Sequence, residues 1–276
     1  MKLGFSTVAD VNATVDEVIE AALANGISNV EVRLDTQNLF FGMTETSEIE
    51  AAAEKFRKAG ITVSDLGASI TVIGDNPGCV EKAAFVMQTA KIVGAKGFRV
   101  FLAPFYRKYS DKKPHDYDGI VKTLKAMAAL AEETGIEVWI ETHNAFSTGA
   151  VLKKLLADIG SEKVKIIWDI MHPYELGEQP DETAEYLKGK VAHVHIKDGV
   201  KYEDPDMATM KYTVLGEGTV PVRTCLEALK KIGFDGVLSL EWEKAWRPEI
   251  ADVYPNLSDT LAAYVKYIRT VGNGII

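Results

Sequence analysis

Short β-branched, apolar runs alternate with longer helical patterns along the whole 276-residue chain, and this alternation limits the fold more than any other feature. Strand-like runs stand at 2–6, 29–33, 62–67, 97–102, 137–143, 165–169, 192–197 and 237–242. Between them, at 15–24, 49–59, 80–93 and 120–133, apolar residues recur at three- and four-residue spacing, the period of a helix with one buried face. Gly26, Gly60, Gly94, Gly135 and Gly233 each stand shortly before the next strand, where a left-handed residue most easily ends a helix. Strand-then-helix units with short returns imply parallel pairing, and eight of them close into a (β/α)₈ TIM barrel. An open doubly wound sheet is the rival architecture. It calls for a glycine-rich phosphate turn after the first strand, and Ser6-Thr7-Val8-Ala9-Asp10 stands there instead.

The length agrees with one domain over 1–276, since single α/β barrels commonly have about 250 residues. Neither a low-complexity linker nor a composition shift divides the chain. Its net charge is −9, from 31 basic and 40 acidic residues, so a phosphate-backbone partner is not expected. Cys79 and Cys225 are far apart and form no metal-spacing motif; they read as small buried residues. No signal-peptide pattern and no apolar run of about 18 residues is present, so a cytoplasmic protein with no membrane span is expected.

The chemistry gathers on the later strands, which finish in polar residues that an apolar core would not accept unpaired. They read Trp139-Ile140-Glu141-Thr142-His143, Ile167-Trp168-Asp169-Ile170-Met171-His172, His193-Val194-His195-Ile196-Lys197-Asp198 and Ser239-Leu240-Glu241-Trp242-Glu243. Strand side chains alternate in direction, so Glu141 shares a face with His143, and His193 with His195. Glu141, Asp169, His195 and Glu241 would then meet at one barrel mouth, where a divalent cation removes their mutual repulsion. Three oxygen donors and one nitrogen suit Mn²⁺, Mg²⁺, Co²⁺ or Zn²⁺. Salt bridges at strand ends account for any one of these residues, but less readily for all four.

Around that quartet, His172 is expected over the pocket and in contact with substrate. His143 is an even choice between substrate and structure, and His193 lies one strand repeat deeper, in a supporting or direct role. Lys197, Lys201 and Arg99 are candidate partners for a substrate phosphate or carboxylate, whereas Arg107, Lys108 and His115 read as solvated. Trp246 and Phe5 are candidate pocket walls, and Trp242 faces the helices. Gly216-Glu217-Gly218 reads as a turn, because a lone Gly-x-Gly is a weak phosphate signal. The long segments 36–47, 104–117, 198–219 and 244–257 all follow strands, which puts them on the face where such barrels build active sites.

These motifs, in this order, resemble the xylose isomerase-like barrel superfamily, and in particular its sugar phosphate isomerase/epimerase branch. The pattern is a glutamate, Trp-Asp-x-x-His, His-x-His-x-x-Asp and a final glutamate. It is met here by Glu141, Trp168-Asp169-Ile170-Met171-His172, His193-Val194-His195-Ile196-Lys197-Asp198 and Glu241. The resemblance runs over nearly the whole chain. It implies one divalent ion, Mn²⁺ above the others, held by Glu141, Asp169, His195 and Glu241. It implies that Glu141 and Glu241 exchange protons through an enediolate, with His172 on a carbohydrate or sugar phosphate. Members often associate, so a homo-oligomer is part of the same expectation. Some epimerases carry an arginine where Lys201 stands, and lysine cannot keep bidentate geometry. A metal-dependent dehydratase of a keto-cyclitol or dehydroshikimate is the alternative, since Glu141-Thr142-His143 and Ser239-Leu240-Glu241-Trp242 also resemble that branch. An abasic-site endonuclease fits less well, because Ser64-Asp65-Leu66-Gly67-Ala68 and Val100-Phe101-Leu102-Ala103 carry no histidine. A non-catalytic sugar-binding protein is the remaining reading.

Overall fold

The computed structural model describes residues 1–276. Ten strands form along the chain: β1 (Lys2–Ser6), β2 (Asn29–Arg33), β3 (Thr62–Val72), β4 (Gly97–Leu102), β5 (Glu137–Glu141), β6 (Val164–Asp169), β7 (Val191–Ile196), β8 (Gly199–Lys201), β9 (Met210–Tyr212) and β10 (Val237–Leu240). Eight of them close a barrel in the order β1-β10-β7-β6-β5-β4-β3-β2, every pairing parallel. Around it run α1 (Val15–Ala24), α2 (Thr46–Lys58), α3 (Pro77–Val93), α4 (Tyr117–Thr134), α5 (Gly149–Ile159), α6 (Met171–Glu175), α7 (Pro180–Tyr186), α8 (Val222–Lys231) and α9 (Leu257–Val271). The expected (β/α)₈ barrel is what forms. Gly94 and Gly135 end α3 and α4 at φ of 77° and 79°, the left-handed turn that glycine adopts without a steric cost.

The strands invert the usual polarity of a sheet core. Val30, Val32, Phe98, Val100, Val138, Ile140, Ile166, Trp168, Val194, Ile196, Leu238 and Leu240 are buried in the core. They alternate with Glu31, Arg99, Glu141, Asp169, His193, His195, Ser239 and Glu241, which are buried as well. Alternation along a strand puts the two sets on opposite faces. The apolar set packs the helix layer, where most of the hydrophobic stabilisation arises, and the polar set fills the barrel. Trp139 crosses the interior against His193, ring centroids 5.9 Å apart. Gly97 makes room for that indole: a Cβ there would stand 2.4 Å from it.

The segment 198–219 holds an antiparallel hairpin, β8 with β9, that periodicity did not reveal. Asp198, buried at the end of β7, anchors it. Its carboxylate accepts from the backbone N–H groups of Gly199 at 2.8 Å, Gly216 at 2.9 Å, Gly218 at 3.1 Å and Val220 at 3.1 Å. Gly216 and Gly218 therefore serve a protein carboxylate, and a Cβ on Gly218 would stand 2.0 Å from Asp198 Oδ1. Asp198→Ala leaves those donors unpaired and is expected to lower stability by about 2 kcal/mol or more. Denaturant unfolding gives the loss, and hydrogen exchange should localise it to 199–220; unchanged protection there would contradict the anchoring role.

Candidate metal centre

Glu141 ends β5, Asp169 ends β6, His195 lies in β7, and Glu241 follows β10 directly. The structure brings these four together: one ligand atom from each lies within 4.8 Å of the others, and all four residues are buried. Closing the barrel puts β6 and β7 between β5 and β10, so the two glutamates approach from opposite sides of Asp169 and His195.

Two cations share the space. Arg99 Nη1 donates to Glu141 Oε2 at 3.0 Å and Glu241 Oε1 at 3.2 Å. The Lys197 ammonium lies 2.6 Å from Asp169 Oδ2 and 2.5 Å from Glu241 Oε2. Its directed hydrogen bonds go instead to Glu243 Oε1 at 2.9 Å and the Tyr212 hydroxyl at 3.1 Å. Asp169 Oδ2, Glu241 Oε2 and His195 Nδ1 are thus buried without an aligned hydrogen-bond partner. Two carboxylate oxygens held by the Lys197 ammonium alone and one imidazole nitrogen, turned to one place, are donor types that a divalent cation takes.

The charge balance leads to the same place. Burial pushes Asp65 well above the usual carboxylate range, with Glu31 adding to it. Glu31, Glu141, Asp169 and Glu241 remain, against the fixed cations Arg99 and Lys197. Buried carboxylates thus outnumber the fixed cations beside them, an imbalance that favours a bound cation. The residues fit such an ion. In its absence the imidazoles take up the difference: burial opposes a charge on His195, yet Glu241 and Glu31 outweigh it and hold its pKa well above the usual value. Burial likewise works to raise Glu241, but His195 and Lys197 hold it far below the carboxylate range.

A cavity of about 830 Å³ opens beside the quartet. His143, His172 and Glu243 form its inner end, and Phe105, Tyr106, Trp246 and Arg247 line its sides. His172 is tied from two directions, Nδ1 to Glu175 Oε1 at 2.8 Å and Nε2 near Asp169 Oδ2 at 3.3 Å. Burial opposes its charge, but Asp169 and Glu175 prevail and raise its pKa to about 9. His143, edge-on to His172 with ring centroids 4.3 Å apart, is pushed down to about 3 by burial and by that neighbour. The inner end of the cavity thus pairs a cationic imidazole with a neutral one.

A profile of the xylose isomerase-like TIM barrel family matches residues 19–263. The chain belongs to that family. It is 25% identical over 152 residues to an inosose dehydratase of Lacticaseibacillus casei, covering 49% of this chain and 51% of the relative. The chain spans about half the length of the curated relatives it matches first. The structure of the IOLI protein with a bound zinc atom has a TM-score of 0.80 at 19% identity, covering 100% of this chain and 99% of that one. The structure of a D-psicose 3-epimerase has a TM-score of 0.77 at 18% identity, covering 98% and 99%. At such identities the structural likeness is one of fold.

Within this xylose isomerase-like barrel, several side chains stand elsewhere than the sequence suggested. Lys201, expected at the substrate, is exposed on β8 and lines a separate cavity of about 160 Å³, because the hairpin carries it away from the main one. Arg247 takes the place beside the large cavity, its guanidinium 4.0 Å from the centroid of the Tyr212 ring. Phe5, expected as a pocket wall, is fully buried in the core. Arg99 and Lys197, read as partners for a substrate anion, are committed to the quartet's carboxylates. Trp246 is 46% exposed on the cavity wall, with Arg33 over its ring, and Trp242 is packed inside. Lys108 pairs with Asp204, Arg107 lies on the cavity rim, and His115 rests against Phe146.

A group whose folded pKa is raised contributes stability fully present below its unfolded value and lost as pH rises through the folded one. For His172 that window runs from about 6.5 up to about 9. In metal-free protein, the His172 ring should titrate near 9 by nitrogen-15 NMR. The stability deficit of His172→Gln should shrink as pH rises through that value; a ring midpoint at or below 6.5 would contradict the pairing.

Proposed function

We propose that the chain is a divalent-metal-dependent isomerase or epimerase of a small carbohydrate, free or phosphorylated, working by proton transfer beside a carbonyl through an enediolate. The observation that carries this reading is the pair Glu141 and Glu241: two buried carboxylates that flank Asp169 and His195 and share one guanidinium. Glu141, Asp169, His195 and Glu241 would hold the ion, Mn²⁺ in the leading reading and Mg²⁺, Co²⁺ or Zn²⁺ otherwise. When bound, the ion supplies Lewis-acid polarisation of the substrate carbonyl, which acidifies the adjacent carbon.

The rest falls to the chain's own side chains. Burial and Glu241 work to raise Glu141, but Arg99 and His195 keep it lowered, and Glu241 is lower still, so both start as bases. A carboxylate held that low removes a proton only from an acidified carbon, and the opposite glutamate can return one to the other face. Arg99, bound to both, fixes their separation while the charge moves between them. His172 and His143 meet substrate hydroxyls at the inner end of the cavity, and Trp246 offers a flat apolar wall to a sugar ring. The inosose dehydratase and the D-psicose 3-epimerase, as named, act on polyhydroxy ketones, which supports a substrate of that class.

A dehydratase is the second reading, and His172 favours it. An imidazolium beside the quartet, held by Glu175, can protonate a departing β-hydroxyl, and enolisation is the step that both reactions share. Incubation with ketoses, ketose phosphates, inososes and dehydroshikimate in deuterated buffer with Mn²⁺ separates the two. Deuterium at one carbon with a carbohydrate product is the expected result. An unsaturated product absorbing in the ultraviolet assigns the lyase instead, and no exchange with any of them overturns both.

Glu141→Gln should slow solvent deuterium exchange by about 10²-fold or more, as loss of a general base does. Retained exchange would remove Glu141 from the proton-carrying role. Asp169→Ala should lose bound metal by elemental analysis, and full occupancy in that variant would contradict the ligand set.

A further inference from the structure

Beneath the quartet, the barrel holds a second buried polar set: Glu31 from β2, Asp65 from β3 and His193 from β7, none of them exposed. Glu31 Oε1, Asp65 Oδ2 and both ring nitrogens of His193 have no hydrogen-bond partner. Such a set could be a second cation cage or a support for the first site, and the directions of the atoms decide between them. His193 Nε2 lies 3.7 Å from Glu31 Oε2, whereas Nδ1 on the other side of the ring lies 3.5 Å from Asp65 Oδ1. The two nitrogens diverge, so Asp65 does not join Glu31 and His193 on one ion; Glu31 Oε2 instead lies between His193 Nε2 at 3.7 Å and His195 Nε2 at 2.7 Å, and the shorter contact is a hydrogen bond.

Glu31 is engaged elsewhere. His195 Nε2 donates to Glu31 Oε2 at 2.7 Å, the shortest polar contact His195 makes. A carboxylate only accepts, so this bond puts a proton on Nε2. Neutral imidazole then carries its lone pair on Nδ1, the atom that faces Glu241 Oε2 at 3.3 Å and Glu141 Oε1 at 3.8 Å. Glu31 is itself held close: a Cβ added to Gly67 on the neighbouring strand would stand 3.1 Å from Glu31 Oε1.

We propose that Glu31 is a positioning residue that fixes His195 as the Nε2–H tautomer and so makes Nδ1 the atom offered to the metal ion. This rests on reading the quartet as a metal centre. Glu31 touches neither ion nor substrate; it orients the ligand from behind and raises its basicity, the service carboxylates give to ligand histidines generally. His193 lies against the same carboxylate, its Nε2 3.7 Å from Glu31 Oε2.

The test uses the full-length protein and Zn²⁺, which is diamagnetic. Long-range nitrogen-15 correlation spectra of the Zn²⁺-loaded wild type should show His195 protonated on Nε2 and metal-shifted on Nδ1. Glu31→Gln should weaken Zn²⁺ affinity by about 10- to 100-fold, measured by competition with a chelator, while circular dichroism stays unchanged. A proton on Nδ1 overturns the proposal whatever the stability of the variant, and so does undiminished affinity in Glu31→Gln. Should that variant fail to fold, Gly67→Ala crowds the same carboxylate and should weaken Zn²⁺ in the same direction; unchanged affinity in it would count against the proposal. Failure of the wild type to bind Zn²⁺ at all would contradict the metal centre itself and so is distinguishable from failure of the positioning role.

Discussion

Four carboxylates buried inside a closed barrel are the constraint on which the rest of this structure depends. Glu31, Glu141, Asp169 and Glu241 are withdrawn from water, and isolated charges there would cost several kcal/mol each. Arg99 and Lys197 offset two of them and cannot offset more. Each basic side chain reaches two or three carboxylates at once, so removing either would expose several others to unbalanced charge. What remains is an excess of carboxylate over fixed cation inside the barrel, concentrated at the ends of β5, β6 and β10. A bound cation or protonated imidazoles would offset it. Metal binding, as proposed, and proton uptake at the site would then share one physical origin.

The fold produces that concentration of charge by simple geometry. Parallel pairing aligns the carboxyl-terminal ends of all eight barrel strands, and period-two alternation sends one side chain in two inward. The helix-facing set is apolar enough to carry the stability, which frees the inward set for chemistry. Access is built separately. The large cavity is made by loops after β4, β5, β6 and β10, and the hairpin held by Asp198 closes one side. Two of its lining residues, His172 and Glu243, also contact the buried charges, through Asp169 and Lys197.

Much of the scaffold could be read from the sequence, because it follows from periodicity. The eight strands, the glycine turns and the side-chain alternation around Glu141, Asp169, His195 and Glu241 all depend on local order, and the structure brings the four together. Glu31 was hidden for a physical reason. In Asn29-Val30-Glu31-Val32-Arg33 it stands where an amphipathic strand would show an ordinary solvent-facing residue, and only barrel closure turns it inward. Arg99 and Lys197 were visible as charges, but their partners lie on other strands, at separations no local pattern encodes. Lys201 was misplaced because a loop of that length gave no sign of the hairpin, and Phe5 because position at a strand end does not say which face it takes.

The central claim is that one divalent ion completes this charge balance. Anomalous diffraction from a Mn²⁺-soaked crystal, collected at the manganese edge, tests it most directly. A single anomalous peak within coordination distance of Glu141, Asp169, His195 Nδ1 and Glu241 is the predicted result. An empty quartet, or metal bound only elsewhere on the chain, would contradict it.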